Sequence, residues 1–476
     1  MYGYYLRAVI RTTIIFMVCT ISASAQLKTC IVKEYPPEAY LILSRKTLEI
    51  LCVNYKKAIR YDEYGYPHLD FSVFNRDDPE LTVQSYNALI LENLYMRLTL
   101  LPGKGKPFSF IYKVTGHEEF FVPPVARVLG SPNRLGWWLV LGGVEYTLPD
   151  KEHGDTWAGD WKWKISDNSD TIKTVCMQVK ERRFGLEEKI AVSLYPDKAY
   201  YEANISIYNP TSDTVSFQHW INPMWAPGGR GEITPNTEFI IPTEKVIVTE
   251  RKFNQWMLDY HPERKRKQLY SDNPLRWLKG WKSIGDLLAG KLKHGFYSAF
   301  SHDENEGIVR VFPEDIHPGC NIWSWGFDPP PETRKRFSGT DTCRGYVEMW
   351  GGITRGFDEY YTLNPGDSLS WTEWMYPFHQ TKGLHYANRD FTVTFTRLPN
   401  EKSVFRLCPS GVLTDTEVVI VNPDENSTLL HIQYESFFPS ENIPSFIIDK
   451  TPADAVCIIY QNGTEIVRLH PRMPDQ

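Results

Sequence analysis

Apolar and polar residues alternate with a period of two along most of the chain. Ala203, Ile205 and Ile207 interleave with Glu202, Asn204 and Ser206, the pattern of a strand with one face in a core and one outside. Asn209-Pro210 then stops the strand, and residues 214–220 predict a second strand that completes a hairpin. The same design recurs near the C-terminus, where 418–421, Asn422-Pro423 and 429–434 read as strand, turn and strand. At Asn364-Pro365-Gly366-Asp367 the residue types demand a turn, after which Leu369 and Trp371 alternate with Ser368 and Ser370. Helical signals are short, the best lying within 274–288. Nowhere do strand and helix periods alternate as a doubly wound sheet requires, so the pattern predicts an all-β protein built from packed sheets.

The 476 residues divide by composition into four parts. Residues 1–25 resemble a secretion leader: Arg7 and Arg11 precede an apolar run over 13–21, followed by Ser22, Ala23, Ser24 and Ala25. That run is too short for a membrane span, which needs roughly 20 apolar residues. An exported bacterial protein, periplasmic or secreted, is expected. Residues 26–80 read as an N-terminal β extension, 81–382 as a large sandwich, and 388–476 as a small immunoglobulin-like sandwich. A net charge of −6 gives no broad basic field. The one dense cluster, Arg264-Lys265-Arg266-Lys267, follows Pro262-Glu263 and reads as a solvated loop, not a nucleic-acid patch. The eight cysteines have no paired metal-ligand spacing, and neither a metal nor an organic cofactor is expected. Aromatic residues are abundant: 15 Trp, 27 Tyr and 24 Phe make up 14% of the chain. Such rings fill β-sandwich cores, and they also stack on the flat C–H faces of sugars.

Five stretches occur in an order that resembles the galactose-mutarotase-like superfamily. LILENLYMRLTLLPGKGKPFSFIYK (89–113) is similar to the strands that open the family's cleft, and GGVEYTLPDKEHG (142–154) to the segment carrying a His-Gly pair. NPTSDTVSFQHWINPMWAPGG (209–229) resembles the stretch that presents a histidine at the end of a central strand. GCNIWSWGFD (319–328) and YVEMWGGITRGFDEYYTLNPGDSLSWTEWMYPF (346–378) resemble the glutamate-bearing strand and what closes the sheet. The likeness points to a poorly characterised bacterial branch, sometimes fused to tetratricopeptide repeats, and implies a β-supersandwich that handles carbohydrate.

Interconverting the anomers of a sugar takes one group that removes the C1 hydroxyl proton and another that protonates the ring oxygen. The resemblance implies Glu348 as the base, His219 as the acid and His153 as a holder of sugar hydroxyls. Trp323, Trp325 and Trp157 are the stacking candidates. Lys106 stands where sugar mutarotases carry an arginine, although an ammonium cannot form a bidentate clamp, and Asp259 is the nearest candidate for their sugar-binding aspartate. Structural roles stay open for each: a satisfied buried imidazole at His219, an edge charge at Glu348, an exposed turn at His153 and core packing for the tryptophans. Aldose 1-epimerase-like chemistry is the leading expectation. One alternative is a polysaccharide lyase or glycoside-cleaving enzyme, with Lys106 or Arg344 neutralising a uronate; another is a noncatalytic glycan-binding envelope protein.

Overall fold

The computed structural model describes residues 16–21, 28–74, 79–229 and 231–473. The expected leader lies mostly outside the described residues; its stretch Phe16–Ile21 is a strand antiparallel to Lys28–Lys33. The fold is all-β, as the alternation predicts, with two large sheets face to face. A 12-stranded sheet runs from Lys267–Leu269 at one edge to Leu41–Val53 at the other, and an 8-stranded sheet runs from Lys162–Asn168 to Thr237–Ile240. Their facing sides bury one core, with Leu91, Leu98 and Phe110 from the first sheet against Val192, Ile205 and Trp371 from the second. In the strand Tyr201–Tyr208 the expected parity holds, with Ala203, Ile205 and Ile207 buried.

The N-terminal segment joins sheets formed by later parts of the chain. Lys28–Lys33 lies parallel to Ser427–Ser436 in a 6-stranded C-terminal sheet, whereas Leu41–Val53 pairs along its whole length with Leu81–Asn93. A 4-stranded sheet containing Phe391–Leu398 and Lys402–Pro409 completes the C-terminal region.

Two local expectations are corrected. Residues 214–220 do not return beside Tyr201–Tyr208, whose neighbours are Glu187–Leu194 and Ser368–His379. Val215–Phe217 pairs instead with Tyr361–Leu363, because the Asn209 amide donates to both Asp213 O and Leu363 O and diverts the chain. Residues 274–288 hold only two single turns, Pro274–Arg276 and Leu278–Gly280, before the strand Gly285–Ala289. The α-helix among the described residues is Pro331–Ser338, closed by Gly339 in the left-handed conformation. No helix among the described residues is long and apolar enough to cross a membrane.

Candidate functional site

The site is built on the side of the 12-stranded sheet that faces away from the core. In adjoining strands Leu287, Ile322, Val347, Met349 and Ile221 point inward, so their neighbours Asp286, Trp323, Glu348, Trp350, Trp220 and Asn222 point outward. Register turns this parity into a row. Asp286 pairs with Trp323, Trp323 with Glu348, and Asn222 with Glu145 on the strand Val144–Thr147. Loops then wall the row into a cavity of about 240 Å³. Sites for drug-sized ligands hold roughly 300–1,000 Å³, so this one is scaled to a single small ring.

Three left-handed residues, Lys151, His153 and Gly154, bring the loop 148–154 back over the sheet. Gly154 has φ +55°, and a Cβ there would lie 2.4 Å from Leu148 O; His153 itself has φ 62°. The turn stacks the imidazole on Trp138, with ring centroids 3.7 Å apart and planes at 11°. His153 Nδ1 lies 2.9 Å from Glu145 Oε2. The Lys106 ammonium and His153 hold the Glu145 carboxyl below its ordinary value although burial pushes it upward. An ionised carboxylate only accepts, so Nδ1 carries a proton toward Glu145.

Glu348 is the opposite case. Burial pushes its carboxyl up to about 7, against the lowering influence of nearby His153 and of Asn222. Asn222 Nδ2 donates to Glu348 Oε2 at 3.2 Å. Near neutrality this carboxyl is therefore part acid and part base. Around it stand Trp220 and Trp350, edge to face at 5.0 Å, and Trp323 against Phe337 at 5.3 Å. The remaining wall is charged. Arg251 Nε donates to Asp286 Oδ2 at 3.0 Å, and its Nη2 pairs with Glu152. Arg336, on the helix Pro331–Ser338, reaches the cavity without an ion pair among the described residues.

Of the residues expected from sequence, Glu348, His153 and Trp323 come together in this cavity. His219 does not. It is fully buried on the core side of the sheet, with Nε2 2.8 Å from Glu188 Oε1 and its ring edge-on to Trp371. Strand parity explains this, since His219 shares the inward phase of Ile221 while Trp220 and Asn222 face the cavity. Trp325 lies past the end of its strand, buried between Phe121, Phe337 and Tyr346. Trp157 packs edge-on against Trp137 and, with Lys106, lines a separate small recess. Lys106 is buried 3.4 Å from Glu145, and loss of solvation lowers its pKa. Its contact with the site runs through Glu145, so it cannot clamp a ligand in the main cavity. Arg344 is also elsewhere, its backbone N–H donating to Glu232, and Asp259 pairs with Arg264 on the surface.

Sequence reasoning missed Arg251, Asp286, Arg336, Asn222 and Glu145. Asn222, Glu145 and Asp286 carried a usable signal, as polar residues within largely apolar strands. Among the described residues there is no group of three or more His, Cys, Asp or Glu side chains arranged to hold a metal ion.

Over residues 63–366, the span that holds this whole constellation, the sequence matches the family described as Domain of unknown function (DUF5107). The chain belongs to that family. Among solved structures this DUF5107 chain is similar to a TPR-domain containing protein from Parabacteroides distasonis ATCC 8503, with a TM-score of 0.58 and 17% identity. That likeness covers 71% of this chain and 56% of the other, so the chain spans little more than half the length of that protein. It is also similar to galactose mutarotase-like proteins. For the one from Clostridium acetobutylicum the TM-score is 0.43 at 12% identity, covering 62% of this chain and 96% of that one. For the one from Lactobacillus casei ATCC 334 the TM-score is 0.40 at 12% identity, covering 61% and 99%.

Proposed function

We propose that this chain is a carbohydrate-active protein that holds one pyranose ring in the cavity and shuttles protons between its C1 hydroxyl and ring oxygen, as an aldose 1-epimerase does. The observation that carries the reading is that His153 and Glu348 line the same cavity. In its neutral form, with the Nδ1 proton turned to Glu145, His153 would offer a lone pair at Nε2, and Glu348 holds a proton up to about pH 7. His153 takes the proton from the C1 hydroxyl, the C1–ring-oxygen bond breaks, and Glu348 protonates the departing oxygen. After the aldehyde rotates, Glu348 takes the proton back from the C5 hydroxyl as its oxygen attacks C1, and His153 returns its proton to the carbonyl oxygen, which restores both groups as the ring closes. These roles differ from those the family resemblance implies: Glu348 begins as acid, and His153 stands in for the sealed His219. Trp323 and Trp350 supply faces for stacking. Export to the periplasm or beyond belongs to the same proposal and rests on the leader-like N-terminus.

The test follows freshly dissolved single anomers of a hexose panel to equilibrium by NMR. The protein should speed the approach for at least one sugar. Glu348→Gln and His153→Gln should each lower that rate by about 10²-fold or more. The burial of His219 supports a second reading, in which the cavity binds glycan without turning it over. Saturable binding with no acceleration for any sugar would select that reading, and absence of both binding and acceleration would reject the two together.

A further inference from the structure

The cavity's charges are unevenly matched. Arg251 is engaged by two carboxylates, Asp286 and Glu152, and lies about 6 Å from the ring of Phe357. Asp286 is fixed in turn by Thr249 and Asn254. Arg336 has no such commitments. It projects from the helix Pro331–Ser338 beside Phe337, lines the cavity, is exposed, and makes no ion pair among the described residues. Burial raises the Glu348 carboxyl to about 7, so near neutrality it carries only part of a negative charge.

We infer that the sugar taken by this cavity carries a carboxylate, as a uronic acid does, and that Arg336 receives it. This rests on the carbohydrate reading above and narrows it. A planar guanidinium with a free fork matches a carboxylate with two parallel hydrogen bonds. One uncommitted guanidinium balances one negative charge. A phosphorylated sugar brings nearly two charges into a cavity that already contains Glu152 and Asp286, where the described residues provide no second free cation to offset them. The aromatic walls hold the ring while Arg336 sets which end enters first.

The experiment is a tryptophan-fluorescence titration of the full chain, since Trp323 lines the cavity. The ligands are D-galacturonate and D-glucuronate, their neutral hexoses, and the corresponding 6-phosphates. For wild-type protein a uronate should bind at least about tenfold more tightly than its hexose, and the advantage should shrink as salt rises. In Arg336→Ala the uronate-to-hexose ratio should fall toward one. Arg336→Lys should restore part of it, because the charge returns without the fork. Equal affinity for uronate and hexose in wild type overturns the inference and leaves the carbohydrate reading intact. So does preference for the 6-phosphates, or an unchanged ratio in Arg336→Ala. Failure to bind any of the sugars overturns both.

Discussion

Glu348 ties burial to chemistry at a single side chain. Ring opening as proposed needs its protonated form, whose population falls as pH rises through about 7. Turnover should therefore have a descending limb near neutral pH. Asn222 donates to the ionised carboxylate and holds its pKa down, so Asn222→Ala should move that limb to higher pH in a kcat/KM profile. A limb that stays put or moves lower contradicts the assignment. The same shift has a stability consequence that needs no substrate. With an ordinary value of 4.5 in the unfolded chain and about 7 in the fold, the native state binds more protons between those limits. Stability from this group is thus present below pH 4.5 and lost by about pH 7. Glu348→Gln should melt above wild type at pH 8 and match it at pH 4. The aromatic excess and the glutamate in YVEMWGG made this much of the site legible in the sequence. Arg251 and Arg336 were not legible, because they come from a loop and a helix whose approach to the sheet only the fold determines. Lys106 stands at the family's arginine position by sequence order alone, and the fold buries it against Glu145 instead. Lys106→Met should lower the melting temperature by stranding Glu145, yet leave the shape of the cavity's charged wall, and hence the uronate preference, unchanged.

At the level of elements, the features that align the strands under the cavity are polar and buried. Arg310 is fully buried between the sheets, held by both oxygens of Glu373 at 2.7 and 2.9 Å. Its Nη1 reaches across to donate to Ile221 O and Gly351 O, in the two strands that carry Asn222 and Glu348. His317 and the Trp371 indole complete the shell around Glu373. His219 with Glu188 makes a second such bridge. Removing one partner of a buried pair typically costs about 3–5 kcal/mol, because the other charge is left without a partner. Arg310→Met should lose on that order in denaturant unfolding. His219→Leu should also lose stability, but its folded fraction should keep the pH profile set by Glu348. A changed profile in His219→Leu would return that residue to the chemistry. Strand identity and phase were readable from alternation, as Tyr201–Tyr208 demonstrates. Strand partners were not, since Val215–Phe217 found Tyr361–Leu363 almost 150 residues away through an asparagine side chain that alternation does not register.

Across the whole molecule, the C-terminal strands cover a surface that the large sandwich cannot leave bare. Phe296, Phe300, Tyr376 and Phe378 of the 8-stranded sheet are buried in one cluster with Phe391, Phe405 and Leu407. Each large side chain returned to water costs roughly 1.5–3 kcal/mol, so four amount to about 6–12 kcal/mol, comparable with the roughly 5–15 kcal/mol that stabilises a typical fold. Lys28–Lys33 adds a second tie by pairing with Ser427–Ser436, which joins the two ends of the chain in one sheet. The parts should therefore unfold together. The sequence provides the means to test this, because all 15 tryptophans precede residue 375 and none lies in the C-terminal strands. Tryptophan fluorescence thus reports mainly the large sandwich, with Trp374 packed against the C-terminal cluster, whereas far-UV circular dichroism reports every strand. In a urea titration the two signals should trace coincident transitions with a single midpoint. If the C-terminal sheets were an independent module, dichroism would show an added transition that fluorescence registers only weakly, through Trp374, and removal of residues 388–476 would leave a soluble monomer. Coupled unfolding predicts the reverse for the shortened chain: aggregation through the uncovered aromatic face of the 8-stranded sheet, measurable by light scattering at a urea concentration where the full chain stays clear.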